Sequence, residues 1–134
     1  MTTITTKTSI GTVMRSLGLT ARALHLYDDL GLVKAERDHL NVRCYDETAF
    51  EELRFVATLR QGGVGLADIG RVLAVGRRDG KAIRAQAALS CIRDQMAGLR
   101  TVEQRLHQAE ACLQAHLEAT QGAEQEVAPL RRAG

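Results

Sequence analysis

Aromatic residues are scarce and stop early: Tyr27, Tyr45, Phe50 and Phe55 are the only four in 134 residues, and there is no tryptophan. The C-terminal side therefore lacks the material for an aromatic-lined drug pocket. The three cysteines stand 21 or more positions apart and form no C-x-x-C pair, which excludes a disulfide framework and a zinc or dithiol motif. They are expected to be reduced thiols. No stretch of eighteen apolar residues occurs, and no opening apolar run with a basic flank and a small-residue cleavage site, so no membrane span or export signal is expected and the chain is placed in the cytoplasm. A one-sided charge is also missing. The net charge is +2, and dividing the chain at Gly80 leaves 11 basic against 10 acidic residues before it and 7 against 6 after it. A case for nucleic acid must rest on where the basic residues sit, because phosphate binding needs a basic face and not a basic total. No Ser, His and Asp set, no paired carboxylates in a plausible cleft and no glycine-rich phosphate loop after a strand is present, so no enzyme, no catalytic residues and no cofactor are expected.

What is there divides at Arg77-Arg78-Asp79-Gly80, before which all the aromatics lie. At this length and with 45% hydrophobic residues the chain can bury one modest core. Residues 1–8 are threonine-rich and aperiodic, an expected flexible arm. Ser9 is a plausible N-cap for a helix with Ile10, Val13, Met14 and Leu17 on one stripe, stopped by Gly18. Thr20 caps a second helix bearing Ala23, Leu24, Tyr27 and Leu30, ended by Gly31. Two helices joined by a short glycine turn at this spacing predict a helix-turn-helix, in which the second helix enters the major groove. Leu32-Val33-Lys34 and Val42-Arg43-Cys44-Tyr45 read as the strands of a hairpin wing. Asp46 can cap a third helix through Phe50, Leu53 and Val56 to Gly62-Gly63, and Leu66, Ile69, Val72 and Leu73 mark a fourth, closed by Gly76. The domain reading is 9–76 for the winged helix-turn-helix, 77–80 for a hinge, 81–119 for a dimerisation helix and 120–134 for a disordered tail.

Between Lys81 and Ala119 there is no proline, and Gly98 is the single breaker, so one helix of roughly 50 Å is allowed at about 1.5 Å per residue. Leu89, Ile92, Met96, Leu99, Leu106, Leu113 and Leu117 recur at alternating steps of three and four, interrupted at Glu103 and Glu110. A narrow apolar stripe on so long a rod needs a partner helix, most simply its own copy.

Ser9-Ile10-Gly11-Thr12-Val13, Thr20-Ala21-Arg22-Ala23-Leu24, Tyr27-Asp28-Asp29-Leu30-Gly31-Leu32, Arg43-Cys44-Tyr45, Leu53-Arg54-Phe55-Val56 and Gly63-Val64-Gly65-Leu66-Ala67-Asp68-Ile69 occur in one register. Together they resemble the MerR family of regulators, from Ile10 to Leu73. The resemblance implies a mainly α fold: a winged helix-turn-helix followed by a long helix that forms an antiparallel coiled coil in a homodimer. It further implies double-stranded promoter DNA and RNA polymerase as partners, with a palindromic operator in an overlong spacer that the bound dimer bends and untwists. Some positions depart from the family pattern. His25 and Leu26 stand where an arginine and an aromatic are usual, which puts contact from that turn in question. Cys44, Asn41 and Val42 replace usual wing residues, so the wing shape is expected to differ.

The candidate DNA-contacting set is Arg15, Thr20, Arg22, His25, Tyr27, Arg43, Tyr45 and Arg60. An arginine at the position of Arg22, on the first turn of the second helix, can donate two hydrogen bonds to guanine, against the plainer role of a solvated side chain. Tyr27 either reaches a phosphate, as the resemblance implies, or fills the core. Arg43 and Arg60 match basic positions that hold phosphates in the family, while Arg15, Lys34 and Arg37 are weaker candidates. Cys91 and Cys112, three heptads apart, raise a cross-chain thiol sensor, although both fall on an outer heptad position. Cys112 and His116 supply only half of a metal site, so no metal is expected. The competing readings are a coiled-coil protein-binding adaptor or antitoxin-like protein, and a metal- or thiol-redox-sensing regulator.

Overall fold

The structure, a computed structural model, describes residues 7–132, with side chains to residue 125. Its elements in chain order are β1 (Thr8–Ser9), α1 (Ile10–Leu17), α2 (Ala21–Asp29), β2 (Glu36–Arg37), β3 (Arg43–Tyr45), α3 (Glu47–Gln61), α4 (Leu66–Asp79) and α5 (Lys81–Arg132). No helix among the described residues is long and apolar enough to cross a membrane.

The short helices start where capping chemistry demands. The Ser9 hydroxyl accepts from the Thr12 N–H at 3.3 Å, Thr20 Oγ1 from Ala23 N–H at 3.1 Å, and Asp46 Oδ1 from Ala49 N–H at 2.7 Å. Each satisfies a donor that the first helical turn leaves orphaned and contributes about 1 kcal/mol. Gly18 ends α1 in the left-handed conformation, φ +67°, which an L side chain would strain, and its N–H returns to the Met14 carbonyl.

The sheet is antiparallel, in the order β1-β3-β2, with Thr8 opposite Tyr45, Ser9 opposite Cys44, and Cys44 in turn opposite Glu36. Two expectations are corrected here. The first wing strand is Glu36–Arg37 and not Leu32-Val33-Lys34, because the Leu32 and Val33 N–H groups both donate to the Tyr27 carbonyl (2.9 and 3.3 Å) and close the turn after α2. Val33 is then drawn into the core. At the N-terminus, Thr8 belongs to a strand and Lys7 pairs with Glu36, so the expected arm is ordered at its inner end. Its residues 1–6 lie outside the described residues.

The core gathers Val13 from α1, Leu24 and Tyr27 from α2, Tyr45 from β3, Leu53, Val56 and Leu59 from α3, and Ile69, Val72 and Leu73 from α4. Truncating one of the fully buried leucines to alanine costs roughly 2–5 kcal/mol, so this cluster fixes how α2 and the wing stand relative to each other.

Helix α4 does not close at Gly76. A Cβ at that position would lie 2.7–2.9 Å from Cβ, Cγ and Cδ of Arg84, so the glycine is there to let α4 and α5 approach, and the helix continues to Asp79. The link to α5 narrows to Gly80, φ +103°. Helix α5 runs past the expected end at 119, with helical backbone to Arg132. Of the expected disordered tail, residues 133–134 lie outside the described residues.

The chain splits into two compact units, Met1–Gln95 and Met96–Gly134. Within the first, Ala88, Cys91 and Ile92 of α5 pack on the core. In the second, every described side chain of α5 is exposed, among them Met96, Leu99, Leu106, Leu113 and Leu117.

Candidate nucleic-acid interface

Helix α2 is two-faced. Leu24 and Tyr27 point into the core, while Arg22, Leu26 and Asp29 are exposed and His25 is half-buried, so positions 22, 25, 26 and 29 form one outward stripe at helical spacing. Thr20, exposed just before it, spends its hydroxyl on the cap. Arg22, in the first turn, projects from the end of the helix whose free N–H groups and dipole favour an anion.

The wing is tethered to this helix. Arg43 Nε donates to Asp28 Oδ2 at 3.3 Å, and the other oxygen of Asp28 accepts from the Ala35 N–H at 3.4 Å. Arg43 and Asp28 are each about one-fifth exposed, so Arg43 faces a carboxylate and positions β3 against α2. At the tip, Asp38 Oδ1 accepts from the Leu40 and Val42 N–H groups at 2.8 and 2.9 Å. Those backbone donors, Val42 foremost, hold its carboxyl below the ordinary value. Arg37 donates to the Asn41 carbonyl at 3.0 Å. Asn41 takes φ +61°, a conformation that asparagine tolerates better than other side chains, so the tight bend a glycine would make is kept. Leu40 and Val42 are left exposed at the tip.

The eight candidates separate by depth. Arg15, Arg22 and Arg60 are exposed, Arg15 donating to Thr12 Oγ1 at 3.3 Å and Arg60 to the Val64 carbonyl at 3.2 Å. Tyr27 is 4% exposed and Tyr45 1%, and the Tyr45 hydroxyl finds no hydrogen-bond partner among the described residues. Burial, with Asp28 nearby, pushes the Tyr45 phenol up from its usual value. Sequence reasoning missed Asp28 as the clamp between α2 and the wing; its signal was the acidic residue directly after Tyr27. It also missed the paired Glu52 and Arg77, which nothing in the sequence links.

The remaining candidates fall on α5. Ile92 packs against the core of the first unit, whereas Leu89 is 50% exposed. Cys91 also packs on that core, Cys44 is buried and Cys112 is exposed. Cys112 and His116 are both exposed, and among the described residues no group of three His, Cys, Asp or Glu side chains is placed to hold a metal ion.

Capped helices joined by a glycine turn, a three-stranded wing pinned to the second helix, and a long following helix define a winged helix-turn-helix protein. Residues 8–75 match the model of the MerR HTH family of regulatory proteins, and the chain belongs to that family. The HTH-type transcriptional activator TipA of Streptomyces coelicolor is 36% identical over 66 residues, 48% of this chain. The chain spans only 26% of the length of that relative. Among solved structures, a MerR family transcriptional regulator from Bacillus cereus aligns with a TM-score of 0.60 at 20% identity, covering 79% of this chain and 76% of that one. HiNmlR, a MerR family regulator lacking the sensor domain and bound to promoter DNA, aligns with a TM-score of 0.56 at 21% identity, over 77% of each chain. These likenesses support the fold.

Proposed function

We propose that this chain is a sequence-specific transcriptional regulator that binds double-stranded promoter DNA as a homodimer, in the cytoplasm, without catalytic activity. The observation that carries the reading is the outward stripe of α2, with Arg22 on its first turn, inside the segment that matches the family model. Arg22 reads base edges; Arg15, His25 and Arg60 contact backbone phosphates. Arg43 shares its charge between Asp28 and a phosphate. Tyr27 and Tyr45, both buried, shape the surface from beneath. Residues 9–76 are the reading head, 77–80 the hinge, and α5 from Lys81 to about Ala119 the dimerisation helix, pairing antiparallel through Leu89, Ile92, Met96, Leu99, Leu106, Leu113 and Leu117.

Two heads held at a fixed separation require a palindromic operator. Placed in a promoter spacer, such a dimer spends a few kcal/mol of binding energy on bending and untwisting the duplex, which realigns the promoter for RNA polymerase. HiNmlR, a MerR family regulator of similar fold, was solved bound to promoter DNA, which supports promoter DNA as the ligand.

Selection of bound fragments from a random duplex pool, followed by titration in rising salt, tests the reading. A palindromic consensus is expected, with affinity falling steeply between 50 and 200 mM salt, by about 10³-fold or more if each dimer makes six or more phosphate contacts. Enrichment of no sequence, with binding insensitive to salt, would refute it.

A further inference from the structure

Leu26 is the one large apolar side chain on the outward stripe of α2. It is 44% exposed and packs neither in the core nor among the partly buried hydrophobics around it. Its neighbours in the chain fix where it points. Leu24 and Tyr27 are buried on the opposite side, so α2 cannot roll about its axis and carry Leu26 inward without dragging both into water. Arg22 stands four positions earlier on the same face, a rise of about 6 Å along the helix. Successive bases of one strand lie about 3.4 Å apart, so Leu26 meets a base one or two steps from the one that Arg22 reads.

We infer that Leu26 reads a thymine: its isobutyl group packs on the C5 methyl in the major groove, beside the guanine that Arg22 holds. The inference rests on the reading of the chain as a sequence-specific DNA-binding regulator. Two considerations select this ligand. A leucine side chain has no donor or acceptor, and the thymine methyl is the only apolar group that an unmodified base pair offers in that groove. Set against any other base edge, the leucine would strip water from donors or acceptors and give nothing in return. A protein partner is disfavoured by area. Arg22, His25 and Asp29 flank Leu26 on the stripe and confine the exposed apolar surface to Leu26 and, past the helix end, Leu30, much less than a stable protein interface needs. The contact adds a second position to each half-site, chosen by shape and methylation where Arg22 chooses by hydrogen bonds.

Methyl deletion on the selected duplex, with the full chain, tests this. Each thymine of the half-site is replaced in turn, in both half-sites together, by deoxyuridine, which removes the C5 methyl and leaves the hydrogen-bonding edge intact. Affinity is measured for the parent and for Leu26→Ala, with folding checked by circular dichroism. At one thymine, one or two steps from the guanine whose preference Arg22→Ala relaxes, the parent is expected to lose about 4-fold per half-site, roughly 15-fold for the two. Leu26→Ala is expected to bind the thymine duplex about as weakly, and to change less than about 2-fold on loss of the methyl. With a cytosine and guanine pair at the same position, 5-methylcytosine is expected to bind the parent more tightly than cytosine, and Leu26→Ala equally. A selected half-site without such a thymine, a parent indifferent to every thymine methyl, or a Leu26→Ala variant as sensitive to the methyl as the parent overturns the thymine contact and leaves the regulator standing. Enrichment of no sequence overturns both.

Discussion

Arg77 grips Glu52 with the Nε–Nη2 edge of its guanidinium: Nε donates to Oε2 at 2.7 Å and Nη2 to Oε1 at 3.1 Å, while Nη2 also donates to the Leu32 carbonyl at 2.7 Å. Glu52 is buried, so one side chain of α4 neutralises a carboxylate inside α3 and pins the turn that leads from α2 into the wing. The bond to Glu52 holds the guanidinium above its already high value. Arg77→Ala would leave the carboxylate buried and unpaired. The expected loss is about 1.5–3 kcal/mol, at the low end because Arg77 itself is half exposed, read as a lower urea midpoint with an unchanged slope. Arg77→Lys keeps the charge but loses the fork, and is expected to recover only part of the stability.

Gly76 carries the second prediction. Gly76→Ala drives a methyl into the Cβ, Cγ and Cδ of Arg84, atoms too close to the backbone to swing aside, and is expected to cost about 1–3 kcal/mol in thermal unfolding. Gly62→Ala meets only the tip of Ile92, at 2.7 Å, and is expected to cost less because that tip can rotate away.

A third concerns acid. Hydrogen bonding to Lys81 holds the Glu51 carboxyl below its ordinary 4.5. A carboxylate whose folded value is depressed adds stability that is present above about pH 4.5 and disappears as the pH falls through the depressed value. Glu51→Gln is therefore expected to lose stability at neutral pH and to show a shallower decline below pH 4.5 than the parent, seen as converging thermal midpoints in acid.

Tyr45→Phe reverses the usual direction. Its hydroxyl is buried with no partner among the described residues, so removing it is expected to leave thermal stability unchanged or raise it by up to about 1 kcal/mol. DNA affinity is expected to stay within about 2-fold of the parent, because a side chain 1% exposed cannot meet a phosphate. In ultraviolet titration of the parent, this phenol is expected to ionise above 10, where folding stability begins to fall with rising pH because the unfolded chain releases the proton first.

Much of the fold is legible wherever a local rule decides. Ser9, Thr20 and Asp46 cap the helices at the positions their chemistry predicts, and Gly18 ends α1 as its left-handed conformation requires. What escapes is set by distant partners. Val33 looks like a strand residue, yet it is buried in the core, so the wing strand starts only at Glu36. Gly76 looks like a helix stop but serves as a passage for Arg84, eight positions on. The heptad stripe does not announce that Ile92 also packs on the core of its own head, because that contact is made with residues far away in sequence. The outward face of α2 was readable because period and burial agree there. The Asp28 to Arg43 tether was not, since two charges fifteen residues apart leave no periodic trace.

Strand-cleavage footprinting of the selected duplex, with protein stoichiometry measured on the same complex, reaches the central claim most directly. Two chains per duplex are expected, with two protected half-sites related by a dyad and separated by one helical turn, about 10 base pairs, or a multiple of it. Arg22→Ala should weaken binding about 10- to 100-fold and relax the preference at one position in each half-site. A single chain on an asymmetric footprint, with Arg22→Ala as tight and as selective as the parent, would contradict it.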